Sequence, residues 1–562
     1  MEALDWLVIG VFFLALIGII VWVVRQKQND SADYFLGGRD ATWLAIGASI
    51  FASNIGSEHL IGLAGASSGM AMAHWEIQGW MILILGWVFV PFYTRSMVYT
   101  MPEFLERRYN PQSRTILSVI SLVSYVLTKV AVTVYAGGLV FQQVFGIKEL
   151  WGIDFFWIAA IGLVVLTALY TIFGGMKSVL YTSVLQTPIL LLGSLIILVL
   201  GFKELGGWDE MMRVCGAVTV NDYGDTMTNL IRSNDDANFP WLGALIGSAI
   251  IGFWYWCTDQ FIVQRVLSGK NEMEARRGTI FGAYLKLLPV FLFLIPGMIA
   301  FALHQKYIGA GGEGFLPMLE NGTANADAAF PTLVAKLLPA GVKGLVVCGI
   351  LAALMSSLAS LFNSSAMLFT IDFYKRFRPQ TSEKKLVGIG QVATVVIVIL
   401  GILWIPIMRS VGDVLYTYLQ DVQSVLAPGI AAAFLLGICW KRTSAQGGMW
   451  GLISGMVIGL TRLGAKVYYS NAGEVADSTF KYLFYDMNWL FFCGWMFLFC
   501  IIVVIVVSLA TEAPTAEKIQ GLVFGTATKE QKASTRASWN HWDIIHTVII
   551  LAITGAFYWY FW

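Results

Sequence analysis

The sequence predicts an all-α integral membrane protein with about fourteen transmembrane helices. Of the 562 residues, 57% are apolar and only 13% are charged, whereas soluble domains have about 45–50% apolar and roughly 25% charged residues. The mean hydropathy is +0.71, and the apolar residues form helix-length runs separated by polar stretches. Because lipid offers no hydrogen bonds to the backbone, we expect each run of about 20 apolar residues to cross the membrane as a helix.

The composition also excludes several classes of function. Lys and Arg number 36 against 35 Asp and Glu, which gives a formal charge of +1. A protein that neutralises nucleic-acid phosphates needs a strongly basic surface, so we expect no nucleic-acid partner. The six cysteines show neither a disulfide framework nor a metal-binding spacing, and five of them lie inside or at the edge of apolar runs.

The expected helices follow the apolar runs in chain order. They cover residues 4–25, 42–69, 75–98, 116–146, 152–173, 180–202, 240–268, 278–303, 333–371, 386–408, 414–438, 446–468, 488–510 and 542–561. The first run is longer than a signal-peptide core and no small-residue cleavage site follows it, so we expect it to remain in the mature protein. No polar stretch is long enough to form a catalytic domain, and the segment at 511–540 is expected to be a cytoplasmic linker.

The basic residues indicate how the chain is oriented. Lys and Arg gather in alternate loops, and the opposite loops, such as 203–239 and 304–332, hold few of them. Cytoplasmic loops retain an excess of Lys and Arg during insertion. We therefore expect both termini to be extracellular or periplasmic, as an even number of helices requires.

A polar segment interrupts the second expected helix. Residues 51–60 read FASNIGSEHL, with Gly56 and Gly62 beside Ser53, Asn54 and Ser57. This pattern favours a helix that unwinds within the membrane and frees carbonyl oxygens for a cation. Close helix packing through small residues is the alternative, but packing does not require the ionisable Glu58 and His59 that follow.

Four further segments place polar groups at membrane depth, where such groups mark functional sites by default. Trp75 and Glu76 begin the third helix, which is also an ordinary pattern at a membrane edge. The run 252–260 joins aromatic and polar side chains as a sugar ring requires, although aromatic core packing explains it equally well. The stripe of Ser356, Ser360 and Ser364 lies on one helix face and suits a hard cation or simple helix packing. The fifth segment contains Gln420, Asp421 and Gln423.

Together these motifs resemble those of the sodium/glucose cotransporters of the solute:sodium symporter family. The similar strings extend over almost the whole chain and include FASNIGSEHLIGLAG (51–65), TMPEFLERRY (100–109), TALYTIFGGMKSVLYTSVLQT (167–187), WYWCTDQFIVQR (254–265), AYLKLLPVF (283–291), LAALMSSLASLFNSSAMLFTIDFY (351–374) and AAAFLLGICWKR (431–442). They are similar to the sugar-type members rather than to the proline or sialic-acid members.

The resemblance implies a LeuT-like core of two inverted five-helix repeats, with one extra helix before it and three after it. The expected divisions are an N-terminal helix and loop at 1–41, the first repeat at 42–202, an extracellular loop at 203–239, the second repeat at 240–438, two extra helices at 439–510, the linker at 511–541 and the last helix at 542–562.

The resemblance also implies the residues of the site. A sodium ion would be held by the carbonyls of Ala52, Ile55 and Ala353 and the hydroxyls of Ser356 and Ser357. The sugar would contact Asn54, His59, Glu76, Lys286, Gln420 and Trp256, with Tyr255 as an inner gate. The outer gate would consist of Leu63, Trp75 and Tyr416.

Several positions depart from the family pattern. Ser183 stands where several members have Asp, and Ala359 stands where a two-sodium member has Thr, so we expect one sodium ion per sugar. Gly252 replaces a polar residue that contacts the sugar in relatives, Gln423 replaces a smaller Thr, and Glu58 adds an acid. These changes leave the preferred sugar open.

The implied function is secondary active symport in the plasma membrane. Inward sodium movement would drive uptake of a hexose such as glucose or galactose by alternating access. The alternatives are a sodium symporter for myo-inositol, another polyol or an organic acid, and a sodium-responsive sugar sensor or uniport-like leak. We do not expect an enzyme, because the sequence offers no metal spacing, nucleophile motif or cofactor loop.

Overall fold

The computed structural model describes residues 1–26, 30–56, 59, 69–319, 322–409, 415–471 and 476–562. The long helices are α1 Ala3–Val24, α2 Trp43–Asn54, α3 Gly69–Ser96, α4 at 111–145, α5 Phe155–Leu205, α6 Trp241–Thr258, α7 Glu272–Gly309, α8 Val342–Phe377, α9 Glu383–Arg409, α10 Leu415–Cys439, α11 Ala445–Asn471, α12 Trp489–Ala510 and α13 His541–Tyr560.

Shorter elements connect these helices. The short helices include Ser31–Leu36, Met101–Arg108, Trp208–Gly216, Gln260–Leu267, Ala329–Leu337, Ala516–Ile519 and Lys529–Ala537. Two-residue strands, β1 Glu149–Leu150 and β2 Ile153–Asp154, form an antiparallel hairpin between α4 and α5.

The expectation of an all-α membrane fold is confirmed. Within the described ranges, ten helices are long and apolar enough to cross a membrane, and α2 is a shorter apolar helix. One of the ten, α5, has 51 residues and would therefore be about 77 Å long if straight. Since the hydrocarbon core is about 30 Å thick, α5 is long enough for two spans. The count of fourteen helices stays a prediction.

A glycine breaks α5 into those two halves. Gly175 has φ 53° and ψ −148° within an otherwise helical segment, which is a region that L-residues with a side chain rarely adopt. A Cβ atom at this position would lie 2.4 Å from the carbonyl oxygen of Tyr34. The break therefore requires glycine both for its backbone conformation and for close packing.

We expect Gly175→Ala to lower the stability of the folded protein clearly, by about 1–3 kcal/mol, because the new methyl group is strained and has no room. Gly162→Ala is the matched control, since Gly162 lies on the same helix with no atom within 4 Å of its built Cβ. Thermal unfolding of both variants in detergent measures the difference. Equal melting temperatures would contradict the assigned role of Gly175.

Both chain ends are held by hydrogen bonds to distant segments of the chain. Near the N-terminus, Asp5 accepts hydrogen bonds from main-chain N–H groups at the start of α8. Near the C-terminus, the carbonyl of Phe561 accepts a hydrogen bond from Leu230, at 3.1 Å. A further hydrogen bond joins the end of α7 to the end of α5, where Lys306 donates to the carbonyl of Leu205 at 3.0 Å. That both termini lie on the extracellular or periplasmic side stays a prediction.

The centre of the molecule is where α2, α3, α6, α7 and α8 meet. The helix pair α5–α8 and the pair α2–α7 form its most extensive contacts, while α10, α11 and α12 pack against one another beside it. Four of the five polar segments singled out in the sequence begin on these central helices, and the fifth lies on α10. The fold therefore gathers them from distant parts of the chain.

Candidate functional site

The second expected helix stops inside the protein. α2 ends at Asn54, and Ile55 has the extended conformation φ −75°, ψ 107°. The N–H of Gly56 then turns towards Nδ1 of His59, at 3.5 Å, instead of continuing the helix. A helix end leaves its last carbonyl groups without intrahelical partners. The interruption expected from the small and polar residues of this segment is therefore present at Asn54.

A second interruption lies in α6. Its last six residues, Phe253–Thr258, form a π-helical turn, and Asp259 is extended at φ −77°, ψ 126° before the helix Gln260–Leu267 begins. The carboxylate of Asp259 caps that helix by accepting the N–H of Phe261 at 3.2 Å. Because π-helical turns are wider than α-helical turns, they often mark functional sites. Tyr255 and Trp256 both belong to this turn.

A buried network of charged and polar side chains joins these interruptions. Nζ of Lys286 donates to Oε2 of Glu76 at 2.6 Å and to Oδ1 of Asn54 at 2.9 Å. His59 contacts the same Glu76 oxygen through Nε2 at 3.1 Å. All four residues are at most 5% exposed. A buried carboxylate is tolerated only when it is paired and hydrogen-bonded, and Lys286 provides that pairing.

Aromatic rings form the other side of the network. The Lys286 ammonium lies 5.4 Å from the ring centre of Trp256, and Nδ2 of Asn54 donates to the hydroxyl of Tyr255 at 3.2 Å. The indole N–H of Trp256 donates to Oε1 of Gln78 at 3.2 Å. The site thus combines flat apolar surfaces with hydrogen-bond donors and acceptors.

These side chains enclose a cavity of about 50 Å³, which we call the polar cavity. Its walls include all seven residues expected to contact the substrate, together with Trp75. Pockets for small ligands usually measure about 300–1,000 Å³. The polar cavity is therefore closed in this structure and must widen before it can admit a ligand larger than a few water molecules.

Two polar atoms in the cavity wall have no hydrogen-bond partner among the described residues. They are Oε1 of Gln420, an acceptor, and the indole N–H of Trp75, a donor. Buried polar atoms are nearly always paired in proteins, so each such atom calls for an explanation. Both residues line the polar cavity, so a ligand that widens it is a candidate partner for these atoms.

The structure adds one contributor that the sequence did not single out as a site residue. Gln78 lines the polar cavity, and its amide is fixed by Trp256 and by the carbonyl of Ser248, to which Nε2 donates at 2.9 Å. A Cβ atom built on Gly252 would lie 2.5 Å from Oε1 of Gln78. Gln78 thus occupies the space of the missing side chain at 252. The unusual glycine was visible in the sequence, but its partner on another helix was not.

The expected outer gate is only partly described. The indole of Trp75 stacks on Trp489 at 5.5 Å and meets Phe239 edge to face at 5.6 Å. Leu63 and Glu58 lie outside the described residues. Tyr416 belongs to α10, but its side chain is also outside the description. Trp75 is therefore the gate residue whose contacts the structure provides.

The expected sodium ligands lie where α2 meets α8. Oγ of Ser53 is 2.6 Å from Oγ of Ser360, and Oγ of Ser356 is 3.2 Å from Oγ of Ser183 on α5. Of these serines, Ser356 is an expected ligand. The other four expected ligands are also buried, namely Ala52, Ile55, Ala353 and Ser357. Hydroxyl and carbonyl oxygens suit a hard monovalent cation. The chemistry of this donor set therefore fits sodium.

Comparison with known proteins places the chain among transporters. Residues 34–455 match the model of the Sodium:solute symporter family. The human sodium/myo-inositol cotransporter 2 is 36% identical over 542 residues, which cover 94% of this chain and 79% of that protein. The zebrafish (Danio rerio) sodium/glucose cotransporter 4 is 35% identical over 560 residues, covering 96% and 84%.

A solved structure shows that the fold is shared more widely. The substrate-bound outward-open state of a Na⁺-coupled sialic acid symporter superimposes with a TM-score of 0.73. It is 22% identical in sequence, and the match covers 92% of this chain and 99% of that one. At this identity the likeness concerns the fold alone.

Proposed function

Because the chain belongs to the Sodium:solute symporter family, we propose that it carries a hexose, such as glucose or galactose, into the cell together with one sodium ion. The substrate binds in the polar cavity after this has widened. Asn54, His59, Glu76, Lys286 and Gln420 bind its hydroxyl groups, and Trp256 lies against the ring. Trp75, Leu63 and Tyr416 close the outer side, while Tyr255 closes the inner side.

The observation that carries this proposal is the composition of the polar cavity. A buried carboxylate, an ammonium and several amides face an indole ring across it. Sugar hydroxyls donate and accept together, and the amides of Gln78 and Gln420 do the same. The acceptor of Gln420 and the donor of Trp75, which have no partner in the described part of the chain, supply two contacts that a polyhydroxylated ligand would complete.

Sodium acts here as a second substrate. We place it between the end of α2 and the serines of α8, bound by Ala52, Ile55, Ala353, Ser356 and Ser357. An ion at this position ties the two helices together and stabilises the arrangement that binds sugar, so that each substrate raises the affinity for the other. Ser183 offers a hydroxyl at the position where several family members have the carboxylate of Asp. This difference supports a single sodium ion per sugar.

One sodium ion supplies enough free energy for uptake. A charge that moves through 100 mV gains about 2.3 kcal/mol, and a tenfold sodium gradient adds roughly 1.4 kcal/mol. Together these terms allow accumulation of a few hundredfold, since each tenfold step costs about 1.4 kcal/mol.

A sodium symporter for myo-inositol is the second candidate. It is favoured by the relatives named sodium/myo-inositol cotransporters, which are 36–37% identical. Inositol offers the same ring size and the same hydroxyl chemistry to the cavity, but it lacks the ring oxygen of a hexose. The Gln78–Gly252 arrangement is the feature of this chain that is placed to discriminate between them.

Uptake by purified protein in proteoliposomes tests the proposal. A sodium jump with labelled glucose, in competition with galactose, myo-inositol and sialic acid, gives the order of preference. Accumulation of hexose above equilibrium supports the proposal, and accumulation of inositol alone supports the second candidate. Equal uptake with and without the sodium gradient would contradict both and support a leak or a sensor.

We expect Gln420→Ala to raise the half-saturating sugar concentration about three- to tenfold, because it removes hydrogen bonds worth roughly 1 kcal/mol or more. The half-saturating sodium concentration should stay within twofold, since Gln420 is not among the proposed ion ligands. Initial uptake rates measured over ranges of sugar and of sodium separate the two effects. An unaltered sugar response would remove Gln420 from the substrate site.

We place the protein in the plasma membrane with both termini outside. An even number of spans would bring both ends to one side of the membrane, and the distribution of Lys and Arg favours a cytoplasmic location for the other side. The two inverted repeats occupy 42–202 and 240–438 in this arrangement, and each begins with one of the interrupted helices.

A further inference from the structure

A buried ion pair lies next to the polar cavity without belonging to it. Nζ of Lys129 on α4 donates to Oδ2 of Asp259 at 2.7 Å, and the two residues are only 9% and 3% exposed. The hydroxyl of Tyr125 donates to the other oxygen of Asp259. This pair therefore joins α4 to the point where α6 is interrupted.

The same ammonium is surrounded by aromatic rings. Nζ of Lys129 lies 4.7 Å from the ring centre of Tyr255 and 4.6 Å from that of Phe261, with Tyr125 and Trp254 at 5.3 and 5.4 Å. A cation over a ring face is attracted by the ring's electron density, and the attraction is stronger when the cation is desolvated. Lys129 thus holds the proposed inner gate, Tyr255, at the same time as it holds Asp259.

Both partners lie on deformable parts of their helices. Lys129 belongs to the π-helical turn Tyr125–Val130, and Asp259 directly follows the π-helical turn Phe253–Thr258. Such turns lack regular α-helical hydrogen bonding and can change their pitch. A movement of α6 that displaces Tyr255 would therefore also separate Asp259 from Lys129.

A second, smaller cavity connects this pair with the proposed ion site. It measures about 20 Å³, and its walls include Lys129, Tyr255, Ser357 and Gln423. A cavity of about 10–15 Å³ is enough for one water molecule. Ser357, a proposed sodium ligand, and Lys129 thus line the same small cavity.

We infer that the Lys129–Asp259 pair is the latch of the inner gate and that bound sodium keeps it closed. This rests on the proposed function, because it takes the ion to be at Ser357. A sodium ion there repels the ammonium towards Asp259, which tightens the pair and holds Tyr255 over the polar cavity. When the ion leaves, that repulsion ends and the latch opens more readily.

A third charge determines which variant tests the latch. Arg265 is fully buried, lies within electrostatic range of Asp259, and donates no hydrogen bond to the described part of the chain. Lys129→Met therefore leaves Asp259 with a neighbouring cation, whereas Asp259→Asn would leave two buried cations without a carboxylate. Lys129→Met is the variant that is expected to fold.

The test uses a cysteine reporter in the smaller cavity. Thr133 lines that cavity and is 2% exposed, so Thr133→Cys is carried in every protein. A charged, membrane-impermeant thiol reagent is applied to the cytoplasmic face of inside-out vesicles, in sodium or in choline without sugar. Mass spectrometry then measures the labelling rate at residue 133 separately from the six native cysteines.

With Lys129 present, we expect sodium to slow labelling at residue 133 at least fivefold. Lys129→Met should label at least ten times faster than the parent in sodium and should lose the protection by sodium. Lys129→Arg should restore both, because it retains the charge and the cation–π contacts. Lys129→Met should also allow sodium to leak across the membrane in the absence of sugar.

The outcomes distinguish the latch from the underlying function. If sodium protects the parent and Lys129→Met equally, the latch is wrong while the sodium site stands. If sodium does not slow labelling at residue 133 in the parent, and the labelling rate of Ser357→Ala is equally insensitive to sodium, the sodium site itself is wrong. If Lys129→Arg restores slow labelling and protection by sodium, a general loosening of the fold is excluded.

Discussion

Lys286→Met is expected to reduce sodium-driven uptake at least a hundredfold. Lys286 is the cation of the buried network, and its removal leaves Glu76 charged, with His59 as the remaining partner that the structure describes. Breaking one side of a buried ion pair costs about 3–5 kcal/mol, which corresponds to at least a hundredfold in an equilibrium constant. Initial rates of uptake in proteoliposomes, normalised to the amount of folded protein, measure the loss.

Two further variants show whether the loss concerns the site. Lys306→Met removes a lysine at the end of the same helix, α7. The ammonium of Lys306 contacts the carbonyl of Leu205, and this variant should transport normally. Glu76→Gln/Lys286→Met removes both buried charges and should recover thermal stability without recovering transport. Recovered transport in the double variant would mean that the pair serves the fold rather than the substrate.

Ser357→Ala is expected to raise the half-saturating sodium concentration about tenfold. It deletes one of the five proposed ion oxygens, and interactions with charged groups contribute roughly 1.5–3 kcal/mol each. The fold should be preserved because the substitution removes a single buried oxygen. Uptake at saturating sugar, measured over a range of sodium concentrations, gives the shift.

Ser365→Ala is the matched control for that experiment. Ser365 is also a fully buried serine of α8, and its hydroxyl has no hydrogen-bond partner among the residues that the structure describes. Its loss should leave the sodium response unchanged. A sodium response of Ser357→Ala equal to that of Ser365→Ala would refute the assignment of Ser357.

Much of the fold and of the site could be predicted from the sequence, because lipid imposes simple rules on the chain. Apolar length determines the spans, and an ionisable residue at membrane depth is rare enough to mark a site. Asn54, Glu76 and Lys286 lie on three different helices, yet each could be identified from its own segment together with the family pattern. The structure brings them into one hydrogen-bonded network.

The features that could not be predicted depend on contacts between distant segments. Gln78 follows the membrane-edge pattern of Trp75 and Glu76 in the sequence, and only the structure shows that its amide fills the space beside Gly252. Lys129 had no evident partner along the sequence, because Asp259 lies 130 positions away on another helix. The break in α5 at Gly175 was expected only as a gap between two apolar runs, since its backbone conformation depends on packing against Tyr34.

The stack of Trp75 on Trp489 has a practical consequence for observing the transport cycle. Trp489 begins α12, outside the expected repeats, whereas Trp75 lies within the range expected for the first repeat. Any movement of α3 relative to α12 at this point must slide or part these two indoles. Paired indoles absorb circularly polarised light differently from separated ones, so the difference in near-ultraviolet dichroism between the parent and Trp489→Phe would be a label-free optical signal of outward opening.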